Sequence, residues 1–133
     1  MAIITVANPG SGNDIKASID AAHTAASDFD TLLLPNGSFI LSAACAFTKK
    51  ISIQGGGIGV TNLTWASTGV ISDNTLSNGY VRNGGYTPMF DFNINSDFPS
   101  RITVDGITFT SRNHLTSTAA DTAILMTFAL DLG

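Results

Sequence analysis

The spacing of apolar residues along this chain changes character near Thr31. Before it, Ile15, Ile19, Ala22 and Ala26 recur at intervals of four, three and four residues, which stacks them on one face and predicts an amphipathic helix over Asn13 to Ser27. Asn13 or Asp14 is a competent N-cap, because a short side-chain oxygen accepts an orphan backbone N–H. The stripe is narrow and built from small residues, so the helix must lie against something larger. After Thr31 the runs shorten: Thr31 to Leu34, Ser38 to Leu41, Ile51 to Ile53, Thr61 to Trp65, Met89 to Ile94, Ile102 to Val104, Ile107 to Phe109 and Ile124 to Leu132. Each has the length of a strand.

The separators between these runs carry as much information as the runs. Asn36-Gly37 and Asp105-Gly106 are the dipeptides of two-residue hairpins. Against a hairpin, Leu32-Leu33-Leu34 breaks the alternation, and Ile51-Ser52-Ile53-Gln54-Gly55 shares with Ile102-Thr103-Val104-Asp105-Gly106 the order apolar, hydroxyl, apolar, polar, glycine. A repeated unit of strand plus sharp corner reads as a coil that turns onto a new face after each strand. Between Ala66 and Thr87 the chain loosens into Ser, Thr, Asn and Gly around Tyr80, Arg82 and Tyr86. That stretch is expected to be a long loop, either functional or an extended excursion from one coil.

Three segments taken in order resemble the entry to a pectate-lyase-like right-handed parallel β-helix: Gly12 to Ala22, Asp30 to Phe39 with its Pro35-Asn36-Gly37, and Ile51 to Gly57 followed by Thr61-Asn62-Leu63. The likeness covers roughly residues 12–65, and Val104 to Phe109 fits a later coil. It implies an all-β fold, a single-stranded right-handed parallel β-helix with an N-terminal capping α-helix. At about 4.8 Å between strands, about four or five coils would stack. Residues 1–133 would form one domain, with 1–37 holding an N-terminal strand, the capping helix and the first strand, and 38–133 the coils and the loop near 66–87. Ile51, Ile53, Ile102, Val104, Ile107 and Phe109 would point inward, and Gly37, Gly55 and Gly106 would take backbone conformations that side chains resist.

Composition narrows the function classes. Only 12% of residues are charged and 44% are hydrophobic, so the chain is expected to fold. All ten carboxylates are Asp. A net charge of −4 with six basic residues argues against a nucleic-acid partner. The single cysteine, Cys45 in Ala-Ala-Cys-Ala-Phe, reads as a small buried hydrophobe and cannot supply a cysteine zinc site. No metal or cofactor is expected. No apolar run near either end approaches the ~20 residues of a membrane span, so membrane insertion is not expected, and Met-Ala-Ile-Ile-Thr-Val does not resemble a secretory leader.

The family's association with polysaccharides directs the search for chemistry to paired carboxylates, which act at roughly 5 to 10 Å separation. Asp91 and Asp105 are the candidate catalytic pair, with Asp97 third. The family's galacturonase signatures are missing, Arg101-Ile102-Thr103 being the nearest echo, and His23 and His114 have no nucleophile at an interpretable spacing. His23 is expected to face solvent on the helix. Trp65, Tyr80 and Tyr86 are candidate ligand-binding aromatics that would stack on sugar rings, with core filling as the other reading of Trp65.

The resemblance and the missing leader together imply the N-terminal part of a phage tail-spike, fibre or appendage protein. Such a chain would act on the virion in attachment to host-surface carbohydrate, with self-association as a homotrimer. The alternative is an N-terminal fragment of a secreted polysaccharide lyase or glycoside hydrolase without its catalytic coils. A third is a structural β-sandwich that uses the two Xaa-Gly turns as hairpins. The length is expected to be too short for a finished solenoid, which implies a longer parent protein or an end buried in an oligomer.

Overall fold

The computed structural model describes residues 1–65, 74–75, 81–82, 87–95, 102–110 and 123–131. In chain order the elements are β1 (Ile3–Thr5), α1 (Lys16–Ala25), β2 (Thr31–Leu33), β3 (Gly37–Leu41), β4 (Cys45–Phe47), β5 (Ser52–Gln54), β6 (Thr61–Trp65), β7 (Asn74–Thr75), β8 (Val81–Arg82), β9 (Thr87–Asn95), β10 (Val104–Asp105), β11 (Thr108–Thr110) and β12 (Ala123–Asp131). The first sheet has the order β1-β2-β5-β10, the second β11-β6-β3 and the third β12-β9-β4, all with parallel pairs. β7 and β8 form an antiparallel pair of their own.

This architecture corrects the expectation of a single-stranded right-handed β-helix of four or five coils. The described strands fall into three separate short parallel sheets and one antiparallel pair, with one helix, and no closed solenoid is found among the described residues. β2, β5 and β10 end after two or three residues at a proline or glycine turn, where the chain leaves the first sheet. The antiparallel pair β7-β8 stands between β6 and β9, inside the stretch expected to be a loop, and the rest of 66–86 lies outside the described residues. Hairpins at Asn36-Gly37 and Asp105-Gly106 are excluded too. β2 and β3 belong to different sheets, as do β10 and β11, so both dipeptides are corners.

Parallel register stacks like on like. In the first sheet Ile4, Leu32, Ile53 and Val104 stand side by side, and in the second Phe39, Leu63 and Phe109 do the same. Leu32, Ile53, Phe39 and Leu63 are buried, with Ile4, Val104 and Phe109 partly buried against them. The third sheet contributes Phe47 stacked on Phe92 at 4.9 Å between ring centroids, with Phe90 edge-on to Phe47 at 5.3 Å and to Phe109 at 5.4 Å. Such aromatic pairs add about 0.5–1.5 kcal/mol each beyond the area they bury. Cys45 is buried beside them, and burial pushes its thiol up to about 12, so it behaves as a hydrophobe.

The corner between the first and second sheets is made of backbone. The Gly55 N–H donates to the Asp105 carbonyl at 2.9 Å and the Gly57 N–H to the Gly106 carbonyl at 2.9 Å. A Cβ on Gly55 would lie 2.4 Å from the Gly106 carbonyl oxygen, and Gly106 itself sits at φ 71°, a left-handed conformation that glycine adopts without penalty. The fully buried Thr61 hydroxyl donates to the Pro35 carbonyl at 3.0 Å and accepts the Gly56 N–H at 2.8 Å. No polar group of that side chain is left without a partner.

The helix is shorter than its apolar stripe suggested. Ile15 occupies the N-cap position without a side-chain cap, while the Asp14 carboxylate accepts the Lys16 N–H at 3.0 Å and is bound by the Ser42 hydroxyl. Burial raises the Asp14 pKa, but these hydrogen bonds outweigh it and leave the carboxyl below its ordinary value. The residues before α1 run beside β3: Gly12 N–H reaches the Ser38 carbonyl, and Ile15 N–H the Ile40 carbonyl. They extend the second sheet by a single bridge between Asp14 and Ile40. α1 then lies against β4, the edge strand of the third sheet, with Ile19 and Ala22 buried.

Candidate functional site

The recurring five-residue unit places its polar members together. Strand pairing sets Thr31 beside Ser52, and Gln54 between Leu33 and Asp105. Thr103 continues the first row, its N–H donating to the Ser52 hydroxyl at 3.2 Å. Because side chains alternate across a strand, burying Leu32, Ile53 and Val104 turns these polar neighbours outward. They line an open depression of about 270 Å³ bounded by Thr31, Ser52, Ile53, Gln54, Thr103 and Asp105. Gln54, Thr103 and Asp105 are exposed, and the Asp105 carboxylate accepts the Gly106 N–H at 2.8 Å, which orients it at the corner.

Phe29 and Lys50 stand two positions ahead of Thr31 and Ser52. The Phe29 ring is 53% exposed, and its backbone takes φ 71°, an outlier for a bulky residue. The Lys50 ammonium lies 5.9 Å from that ring's centroid. Phe29 N–H donates to the Lys50 carbonyl at 2.6 Å and Lys50 N–H to the Asp28 carboxylate at 2.9 Å, so the two turns are tied to each other. Nearby, Asp30 accepts the Ser27 N–H at 2.9 Å and the Ala2 N–H at 2.7 Å. These two bonds hold its carboxyl below the ordinary range, against the opposing effect of burial and with help from the N-terminal ammonium and Lys49.

The candidate pair Asp91 and Asp105 is not brought together. Asp105 belongs to the first sheet and lines the depression, whereas Asp91 is on β9 in the third sheet, 8% exposed between Ala46 and Thr127. The sequence treated them as equivalent because neither position reveals its sheet. Trp65 also needs correction as a sugar platform: at 3% exposed it closes β6 inside the core, in register with Leu41. Tyr80, Tyr86, Asp97 and His114 lie outside the described residues. His23 is half-buried rather than solvent-facing, its ring edge-on to Phe47 at 5.5 Å.

Sequence reading missed Gln54, Thr103 and Phe29 as surface chemistry. The first two were legible in principle, since the alignment of Ser52-Ile53-Gln54 with Thr103-Val104-Asp105 already stacks hydroxyl on hydroxyl and amide on carboxylate. Phe29 carries no sequence signal, because its exposure follows from a backbone angle. Among the described residues no group of three or more His, Cys or Asp could hold a metal ion, and no helix is long and apolar enough to cross a membrane. Compared with protein-family models, with curated proteins and with solved structures, the chain finds no match.

Proposed function

We propose that this chain is a structural, appendage-type protein that contacts carbohydrate through the outward face of its first sheet. The observation that carries the reading is the open depression where Thr31, Ser52, Thr103, Gln54 and Asp105 converge. Hydroxyls, one amide and one carboxylate on a rigid sheet offer the mixed donors and acceptors that sugar hydroxyls satisfy. Binding rather than cleavage fits better, because glycosidic hydrolysis uses two carboxylates across the scissile bond. Among the described residues Asp105 alone lines the depression as a carboxylate. The resemblance of residues 12–65 points toward host-surface attachment, and the homotrimer belongs to the same reading.

Saturation-transfer NMR on the whole chain with a panel of bacterial-surface oligosaccharides tests this. Gln54→Ala and Thr103→Val sit on exposed positions and leave the core untouched. Each should weaken a detected glycan about tenfold, the loss of one hydrogen bond of about 1.4 kcal/mol. No binding across the panel, or binding unaltered in the double variant, overturns the proposal. Sedimentation equilibrium at the single-chain mass would overturn the trimer alone.

A further inference from the structure

We propose that α1 is a proton-sensitive cover on the third sheet, held down by neutral His23 and released when that imidazole takes up a proton. The helix lies on β4, the edge strand of its sheet, and is fastened at its C-terminal end by two contacts from the residues that follow β4. His23 Nε2 accepts the Thr48 N–H at 3.2 Å. The Lys49 ammonium donates to the carbonyls of His23 at 2.7 Å, Thr24 at 3.0 Å and Ala26 at 2.6 Å. An imidazole nitrogen that accepts a backbone N–H is unprotonated, and a proton added there sets N–H against N–H.

The surrounding charges favour release. Lys49 repels an imidazolium, and Asp20, one turn earlier on α1, offsets this only in part. On β4 the Cys45 thiol stays neutral, and β1 and β2, which also touch the helix, carry no ionisable side chain. Asp30, just ahead of β2, is occupied by the Ser27 and Ala2 N–H groups. Burial first, and Lys49 second, hold the His23 pKa below its ordinary value. The sign follows: the fastening is complete above about pH 6.5, the unfolded value, and is lost as pH falls toward the lower folded value. Opening would bare Phe47 and the outer edge of β4, a surface suited to pairing with another strand.

Amide hydrogen exchange by NMR on the full chain between pH 5 and 8, corrected for intrinsic rates, tests the proposal. Protection of the Thr48 and Ala26 amides should fall by up to about tenfold per pH unit below pH 6.5, the dependence of one proton taken up on opening. The Gly55 amide, at the distant corner, should not follow. His23→Gln supplies a neutral acceptor and should flatten the Thr48 profile. A flat wild-type profile at Thr48, or a slope that persists in His23→Gln, overturns the cover. Should that variant fail to fold, the wild-type contrast between Thr48 and Gly55 decides by itself.

Discussion

At the corner between the first and second sheets, two glycine N–H groups reach two carbonyls and leave no room for a side chain, the Gly55 Cβ position lying 2.4 Å from a carbonyl oxygen. At the C-terminal end of α1, three carbonyls converge on one long, charged side chain, Lys49, beside an imidazole that serves only when neutral. The two corner bonds are backbone to backbone, with no ionisable atom and no rotamer to lose in either. The helix end depends on a flexible stem and a titratable ring, both of which pay conformational or protonation costs. One region is set by close backbone packing and the other by attraction to charged and titratable side chains, so perturbations should separate them.

The largest effect is expected at the corner. Gly55→Ala should destabilise by about 3 kcal/mol, because the backbone of Gly106 cannot retreat without breaking its own ladder bonds. Gly59→Ala is the control: φ is 77° with nothing within 4 Å of the added methyl, so only backbone strain remains, about 1 kcal/mol. Equal losses in urea unfolding would mean that the close approach between the two turns does not govern the corner. Thr61→Val follows at about 2 kcal/mol, since it strips the buried partner from both the Pro35 carbonyl and the Gly56 N–H while keeping the side-chain volume.

The same contrast explains what could be read beforehand. The corner was legible because its cause is local: glycine recurs after Gln54 and Asp105, and the repeated five-residue order aligns Ile53 with Val104. The helical stripe was legible for the same reason, with Ile19 and Ala22 buried as the spacing required. Closure was not. A strand of three residues says nothing about which sheet receives it, so the expected solenoid gave way to three separate sheets, and Asp91 parted from Asp105. Trp65 could not be assigned to core or surface from alternation alone, because Leu63 and Trp65 share one face of β6 and the sequence does not say which face is covered. Lys49 meets the His23 carbonyl from 26 positions away, a distance over which composition carries no signal.

Lys49→Met tests the helix end. It keeps much of the aliphatic stem and removes the charge, so the loss at neutral pH should be about 1 kcal/mol, less than at the corner. It also removes one of the charges that hold the Asp30 carboxyl low. For a carboxyl depressed in the folded state, the associated stability is present above the unfolded value near pH 3.9 and lost as pH falls through the folded value. In acid unfolding followed by circular dichroism, the part due to Asp30 should therefore fall below about pH 4, and the unfolding midpoint should shift upward in the variant.

The smallest effect should have the opposite sign and lies on the segment joining the two regions. Phe29 sits between α1 and β2 at φ 71°, where an aromatic residue is strained by about 1 kcal/mol. Its ring returns little, being 53% exposed with Lys50 at 5.9 Å, an exposed cation contact of about 0.5 kcal/mol. Asn tolerates the left-handed region, so Phe29→Asn should stabilise by about 0.5 kcal/mol, read as a higher urea midpoint at unchanged slope. Glycan binding in the first-sheet depression should persist in this variant if Thr31, Ser52, Gln54, Thr103 and Asp105 suffice. A loss of binding with gained stability would mean that the strained ring is kept for contact with the ligand, and would move one edge of the site from the sheet to the helix joint.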